Sequence, residues 1–482
     1  MQKKKNIYLK KNSYYQPVNL NENYWLSNLF HKKVLNNYFG IFLLLSFIFL
    51  SLFSRSFAQM NINESIKKGL EDCYSFRWDD AQKNFRSIIR YFPNNPEGYH
   101  YLASTYLWFY LSNLNQKDYK NFLAYSDTAL EKAKAKINVD SNDTNILYIL
   151  GADYSYRAIA FEKAGKFIDA AWASKKSEYY LKKCLLKDST FYDAYLGLGI
   201  YNFAIGQISP AYRWALSLIG IKGNKALGIK YIKLAAKKGK LSKIEAEYYL
   251  SGILSNYFND YTGAAKYLRN LVNIYPSNLL FNYSYSTLKI KQHQLNIAKK
   301  ILKGILKNKN LKFTQIISYS NFLMGDIYFK ENEFDSAKVY YKNFLNTSLS
   351  KDYTGIAYYR LGLSYEIKGQ RDSALKYYNL ATHVKSNTED DIFAKRKGEY
   401  LQKHVLNQIE IALIENNNLI ENGKYKIAYD SLQLILPKIN DVQLRAKANL
   451  RLSNAAYWLG NYEKSYTSAI LAKELNNSED NW

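Results

Sequence analysis

Two stretches of the chain share one spacing, and that spacing constrains the fold more than any other feature. In the first, Gly325 is followed by Tyr328, Ala337 and Tyr341; in the second, Gly362 is followed by Tyr365, Ala374 and Tyr378. The intervals of three, twelve and sixteen residues are the same in both. Small residues at the first and third positions let two antiparallel helices approach closely, while Tyr328, Tyr341 and Phe344 fill the gap between one hairpin and the next. One hairpin cannot bury both of its faces. The spacing therefore predicts a stacked array in which each repeat depends on its neighbours.

The pattern resembles the tetratricopeptide repeat. That resemblance implies an all-α fold, a right-handed α-solenoid of about ten tetratricopeptide-like hairpins, and it implies no reaction. Other positions keep the register. Gly69, Ala81, Phe85 and Pro93 form a first unit, with Pro93 as a stop signal. A second opens at Tyr99, Leu102, Ala103 and Tyr106 and runs through an elongated hairpin to about Asn138. A third, also stretched, runs from Leu150, Gly151 and Tyr154 to Leu185. Gly252, Ala264 and Leu268 are followed 34 residues later by Ser286, Ala298 and Leu302, the family period. Asn387 to Lys403 reads as a charged connector or long helix, and two last hairpins hold Ala428 and Leu432, then Leu452, Tyr457, Tyr462 and Ala469.

The segment 195–238 departs from this regularity. It carries Gly197, Gly199 and Asn202, then Pro210, then Gly220, Gly223 and Asn224. This resembles the tetratricopeptide family of the outer-mitochondrial-membrane type that includes the yeast protein required for clearing inclusion bodies. The likeness implies a helical-repeat adaptor with no catalytic residues to carry over. Ile219 and Ile221 stand where that family places aromatic residues, so only the architecture is transferred.

Composition fits a solenoid, whose core lengthens as repeats are added. The 482 residues include only 6 Pro, and the 47 Tyr suit repeat positions that call for aromatic packing. The net charge of +26 would attract an anionic partner, yet eight basic groups and one acid fall within the first 58 residues. The run Lys289 to Lys312 holds eight lysines and no acid. It lacks the arginines that dominate bidentate base contacts, and no nucleic-acid partner is expected. Cys73 and Cys184 are too far apart in sequence for a metal knuckle. The five histidines are scattered, and Gly197-Leu198-Gly199 lacks the third glycine of a dinucleotide fingerprint. No cofactor, metal or catalytic residue is expected, and the chain is read as a non-enzyme.

Five segments follow. Residues 1–58 combine a basic region with an apolar run, 59–240 hold repeats with elongated hairpins, 241–385 a regular array, 386–475 further repeats, and 476–482 a polar tail. The first segment has 21 uncharged residues from Val34 to Ser54 and a small-x-small exit at Ser56 and Ala58. It reads as a secretory signal cut after Ala58, with an uncleaved membrane anchor as the second reading. Export to the periplasm or cell envelope is the expected localisation.

In the resembling family the first helix of each hairpin lines a concave groove. Carried onto this register, the candidate groove residues are Tyr249, Asn256, Tyr257, Tyr283, Lys291, Tyr319, Phe322, Asp326, Lys330, Tyr359 and Glu366. The family's carboxylate-gripping members use Lys and Asn at offsets that here hold Tyr249, Tyr283, Phe322 and Tyr359, then Ile253, Thr287, Asp326 and Leu363. A carboxylate clamp is not expected. The sequence points to a non-catalytic scaffold or adaptor in the bacterial cell envelope, with a protein or peptide partner and membrane association. The alternatives are a carbohydrate-capturing component of an outer-membrane uptake system and a membrane-anchored regulator.

Overall fold

The computed structural model describes residues 59–475 apart from positions 219, 309–310 and 387. The expectations placed on residues 1–58 and 476–482 lie outside the described residues. Among the described residues every regular element is helical, and no helix is long and apolar enough to cross a membrane.

Consecutive helices pair as hairpins: α1 (Gln59–Tyr74) with α2 (Trp78–Tyr91), α3 (Pro96–Asn113) with α4 (Gln116–Val139), and α5 (Thr144–Lys163) with α6 (Phe167–Lys187). Next, α7 (Tyr192–Gln207) is separated by a short α8 (Pro210–Leu218) from its partner α9 (Lys225–Lys238). Regular pairs resume with α10 (Lys243–Tyr257) and α11 (Tyr261–Ile274), α12 (Leu279–Lys291) and α13 (Leu295–Leu306), and α14 (Thr314–Lys330) and α15 (Phe334–Thr347). After them come α16 (Thr354–Ile367) and α17 (Arg371–Thr382), over which α18 (Glu389–Lys403) packs. The last pairs are α19 (Gln408–Glu421) with α20 (Tyr425–Ile435) and α21 (Val442–Trp458) with α22 (Tyr462–Leu475). The backbone divides into two compact units: among the described residues the smaller holds Lys330–Asn332 and everything from Leu406 onward, and the larger holds the rest.

The repeat spacing has a direct structural meaning. A Cβ built on Gly325 would stand 2.7 Å from the Tyr341 ring, and one on Gly362 would stand 2.6 Å from the Tyr378 ring. The ring sixteen residues after the glycine thus packs inside its own hairpin, and not between hairpins as the spacing alone suggests. Gly69 meets Phe85 in the same way. Turns are equally regular. Nine hairpins pass from first to second helix through one residue of positive φ: Phe76, Leu114, Gly165, Asn259, His293, Asn332, Gly369, Gly423 and Gly460. The pair α7 and α9 lacks this turn, because α8 occupies the connection. There the glycines serve a different end, since a Cβ on Gly228 would lie 2.6 Å from the Gly199 carbonyl oxygen. Backbone meets backbone across that pair. Ile221, the departure noted in the sequence, is buried with Tyr201 and Ile205.

Within the larger unit the array returns on itself. The Tyr74 hydroxyl donates to Glu245 Oε1 at 2.7 Å, Tyr275 donates to Glu71 Oε2 at 3.0 Å, and Asn278 Nδ2 donates to the Tyr74 carbonyl at 3.0 Å. Further along, Phe313 is fully buried among the rings of Phe76, Trp78 and Phe109 at 4.7, 5.2 and 6.0 Å. The first two hairpins therefore close against the fifth to seventh. Each of these contacts joins residues about two hundred apart in sequence, beyond the reach of a nearest-neighbour stack.

Candidate interaction surfaces

Closure determines what the first helices can present. Most residues of α3, α5 and α7 are buried, so these helices are wrapped on all sides rather than lining an open channel. Some of their buried polar groups pair with one another or with neighbouring helices. His100 Nδ1 lies 2.9 Å from Asp153 Oδ1, and Ser126 Oγ donates to Asp153 Oδ2 at 2.5 Å. Asp193 Oδ1 accepts the backbone N–H groups of Leu241 and Ser242 at 3.1 and 2.9 Å. Burial, reinforced by Asp143, pushes the Glu97 carboxyl up to about 7 against the pull of Lys136 and Asn95. Glu245 is raised by burial in the same interior.

The candidate groove residues fall into two sets. Tyr249, Phe322 and Lys330 are almost fully buried, and Tyr319, Asp326, Glu366 and Lys291 are also buried. Phe322 sits against Phe344 and Tyr353 at 5.2 and 5.9 Å, and Tyr319 stacks on Phe344 at 5.9 Å. Asp326 accepts the Tyr341 hydroxyl at 2.7 Å with Arg360 at 3.6 Å, and Glu366 pairs with Arg371 at 2.5 Å. Lys291 donates to Asn256 Oδ1 at 2.9 Å, and Lys330 stands 3.4 Å from Glu421. Asn256, Tyr257, Tyr283 and Tyr359 keep partial exposure. Of these, Tyr257 donates to Gln207 Oε1 at 2.6 Å and Tyr359 meets Phe393 edge-on at 5.8 Å.

Part of the basic run is engaged by neighbouring side chains. Lys289 donates to Gln292 and Gln294 at 2.8 and 2.9 Å, Lys299 lies over the Tyr328 ring, and Lys312 donates to Asp79 at 2.8 Å. Cys73 and Cys184 are free and buried.

Apolar side chains face outward elsewhere, at places the groove register did not single out. On the α21–α22 hairpin Tyr457, Trp458, Leu459, Tyr462, Tyr466 and Leu471 are exposed, Tyr462 and Tyr466 by 67% and 69%. Trp458 stacks on Tyr425 at 5.4 Å, which sets one ring of this face in a fixed plane. A sequence signal existed, since Tyr457 and Tyr462 already marked this repeat, but nothing in the spacing says which of its side chains are exposed.

No protein-family model matches the chain, and no curated protein matches it. Solved structures to which it is similar include a human IFIT1 dimer with m7Gppp-AAAA, 13% identical over 92% of this chain and 94% of that one, with a TM-score of 0.37. Yeast Tom70 is 13% identical over 88% and 93%, with a TM-score of 0.26, and the P58(IPK) TPR domain is 14% identical over 76% and 94%, with a TM-score of 0.21. At these values the likeness carries no argument of its own. The recurring contact between a glycine and the ring sixteen residues later is what decides the type. The chain is a tetratricopeptide-like repeat protein. Its tetratricopeptide-like hairpins make an all-α solenoid in which the first helices α3, α5 and α7 are largely buried.

Proposed function

We propose that this chain is a non-catalytic helical-repeat scaffold of the bacterial cell envelope that holds a protein partner on its C-terminal hairpin. The observation that carries the reading is the outward aromatic face of α21 and α22. This hairpin presents Tyr462, Tyr466, Trp458 and Leu471 outward, a cluster of large apolar side chains of the kind that marks an interaction site. Tyrosine and tryptophan supply large rigid contact area at a protein interface. The partly exposed groove residues Asn256, Tyr257, Tyr283 and Tyr359 form a secondary contact in the same scheme. Engagement of Lys289, Lys291, Lys299 and Lys312 by neighbouring side chains supports leaving nucleic acid out of it.

The test places a photo-crosslinking amino acid at Tyr466 of the full chain in cells. A covalent adduct with one other protein, lost in Tyr462→Ser while the melting temperature is unchanged, supports the scaffold. Absence of any adduct, or the same adducts in Tyr462→Ser, would sink it. The envelope placement rests on the apolar run from Val34 to Ser54, and N-terminal sequencing of the purified protein should find Gln59 first.

A further inference from the structure

A cleft of about 550 Å³ opens between the long helices α4 and α6, with α5 as its floor. That volume falls within the range of roughly 300 to 1,000 Å³ of small-molecule sites. Its apolar surface is aromatic before it is aliphatic. Tyr154 is buried with its ring stacked parallel on Tyr180 at 5.8 Å, Phe161 lies beside it, and Trp172 stands on the α6 rim 52% exposed. Its polar groups are set in place from behind. Arg157 donates through Nη1 to Ser126 Oγ at 3.1 Å and Asp127 Oδ1 at 2.6 Å, and its guanidinium stacks over Phe161 at 5.4 Å. Ser126 is in turn held by Asp153, and Asp153 by His100, so the arginine is anchored to the buried interior. Nε and Nη2 of Arg157, the Tyr154 hydroxyl and the carboxylates of Glu131 and Asp169 have no protein hydrogen-bond partner among the described residues. Lys134 and Lys176 complete the rim, each with its ammonium over the Tyr154 ring, at 5.9 and 5.1 Å.

The charges decide the ligand class. Three acids (Asp127, Glu131, Asp169) face three bases (Lys134, Arg157, Lys176), which favours neither an anion nor a cation. An apolar ligand would strip water from these groups and return no hydrogen bond. A sugar ring meets both demands: its C–H faces lie flat on aromatic rings, and each rim hydroxyl both donates and accepts. We propose that this cleft binds an uncharged oligosaccharide, with Trp172 as the stacking platform and Arg157, Glu131 and Asp169 reading hydroxyl groups. Preorganisation of Arg157 by Ser126 and Asp127 lowers the ordering cost of binding.

Calorimetric titration of the full chain with uncharged hexasaccharides tests this, using α-1,4- and β-1,4-linked glucose, β-1,4-linked xylose and β-1,4-linked N-acetylglucosamine. At least one should bind saturably. Trp172→Ala and Asp169→Asn should each weaken that binding about tenfold, a change of ~1.4 kcal/mol. Trp214→Ala, an exposed tryptophan on α8 outside the cleft, should leave it unchanged. Both tryptophans are on the surface, so unaltered melting curves are expected. The proposal is overturned if no hexasaccharide binds, if Trp172→Ala binds as well as the parent, or if Trp214→Ala loses as much. It is also overturned if only heparin or a peptide competes at the cleft, because either would mark a charged or protein-binding surface.

Discussion

What a Cβ would meet separates glycines that the backbone requires from one that it does not. At Gly369 φ is +70° and nothing lies within 4 Å of where a methyl group would stand, so Gly369→Ala meets backbone strain alone. It should destabilise by about 1–2 kcal/mol. Gly304, on the exposed side of α13, also has nothing within 4 Å, but its conformation is helical. Gly304→Ala should therefore stabilise by roughly 0.5–1 kcal/mol. Chemical denaturation of the pair checks both signs in one experiment. Glu97 supplies a third test at this scale. Its folded value of about 7 stands above the ordinary 4.5, so the unfolded chain gives up the proton first as pH rises. The folded state loses stability between pH 4.5 and 7 and levels off above that, and Glu97→Gln should flatten the melting temperature over this window.

At the scale of the element, the hairpin is set by how near its two helices come. Ala374 is fully buried, and its carbonyl oxygen lies 3.3 Å from a Cβ built on Gly362. Ala374→Leu has no space to fill, and overpacking should cost ~1–3 kcal/mol. Hydrogen exchange should show the loss concentrated in α16, α17 and α18, which pack on one another. An unchanged exchange pattern would contradict the register. Helix starts follow local chemistry in the same hairpins: the side chains of Asn95, Asn115, Asp143 and Asn278 each accept a first-turn backbone N–H.

For the larger unit as a body, stability passes through the contacts that close it as well as through neighbouring repeats. Phe313 has no exposure and joins its own segment to Phe76, Trp78 and Phe109. Phe313→Ala should cost about 3–5 kcal/mol. Its further consequence is a change of mechanism: α1 and α2 should become accessible to protease before the rest of the unit unfolds. A variant that is destabilised yet still unfolds in one step would show that closure adds little to cooperativity.

The sequence alone determined the repeat. Gly325 with Tyr341, Gly362 with Tyr378 and Gly69 with Phe85 are local pairs, held sixteen residues apart by two helices and a turn, so their geometry is written in the spacing. It also marked the irregular hairpin at 195–238 through glycines that bring two backbones together. Much of the turn chemistry was hidden, because Phe76, Leu114, Asn259, His293 and Asn332 take a positive φ without being glycine. Only the tertiary structure decided which faces of the helices are free. The rise and twist of each repeat are small quantities that accumulate, and whether Tyr74 arrives beside Glu245 depends on their sum over five hairpins rather than on any one residue. Within the larger unit that sum buried Tyr249 and Phe322 and opened the cleft over Tyr154.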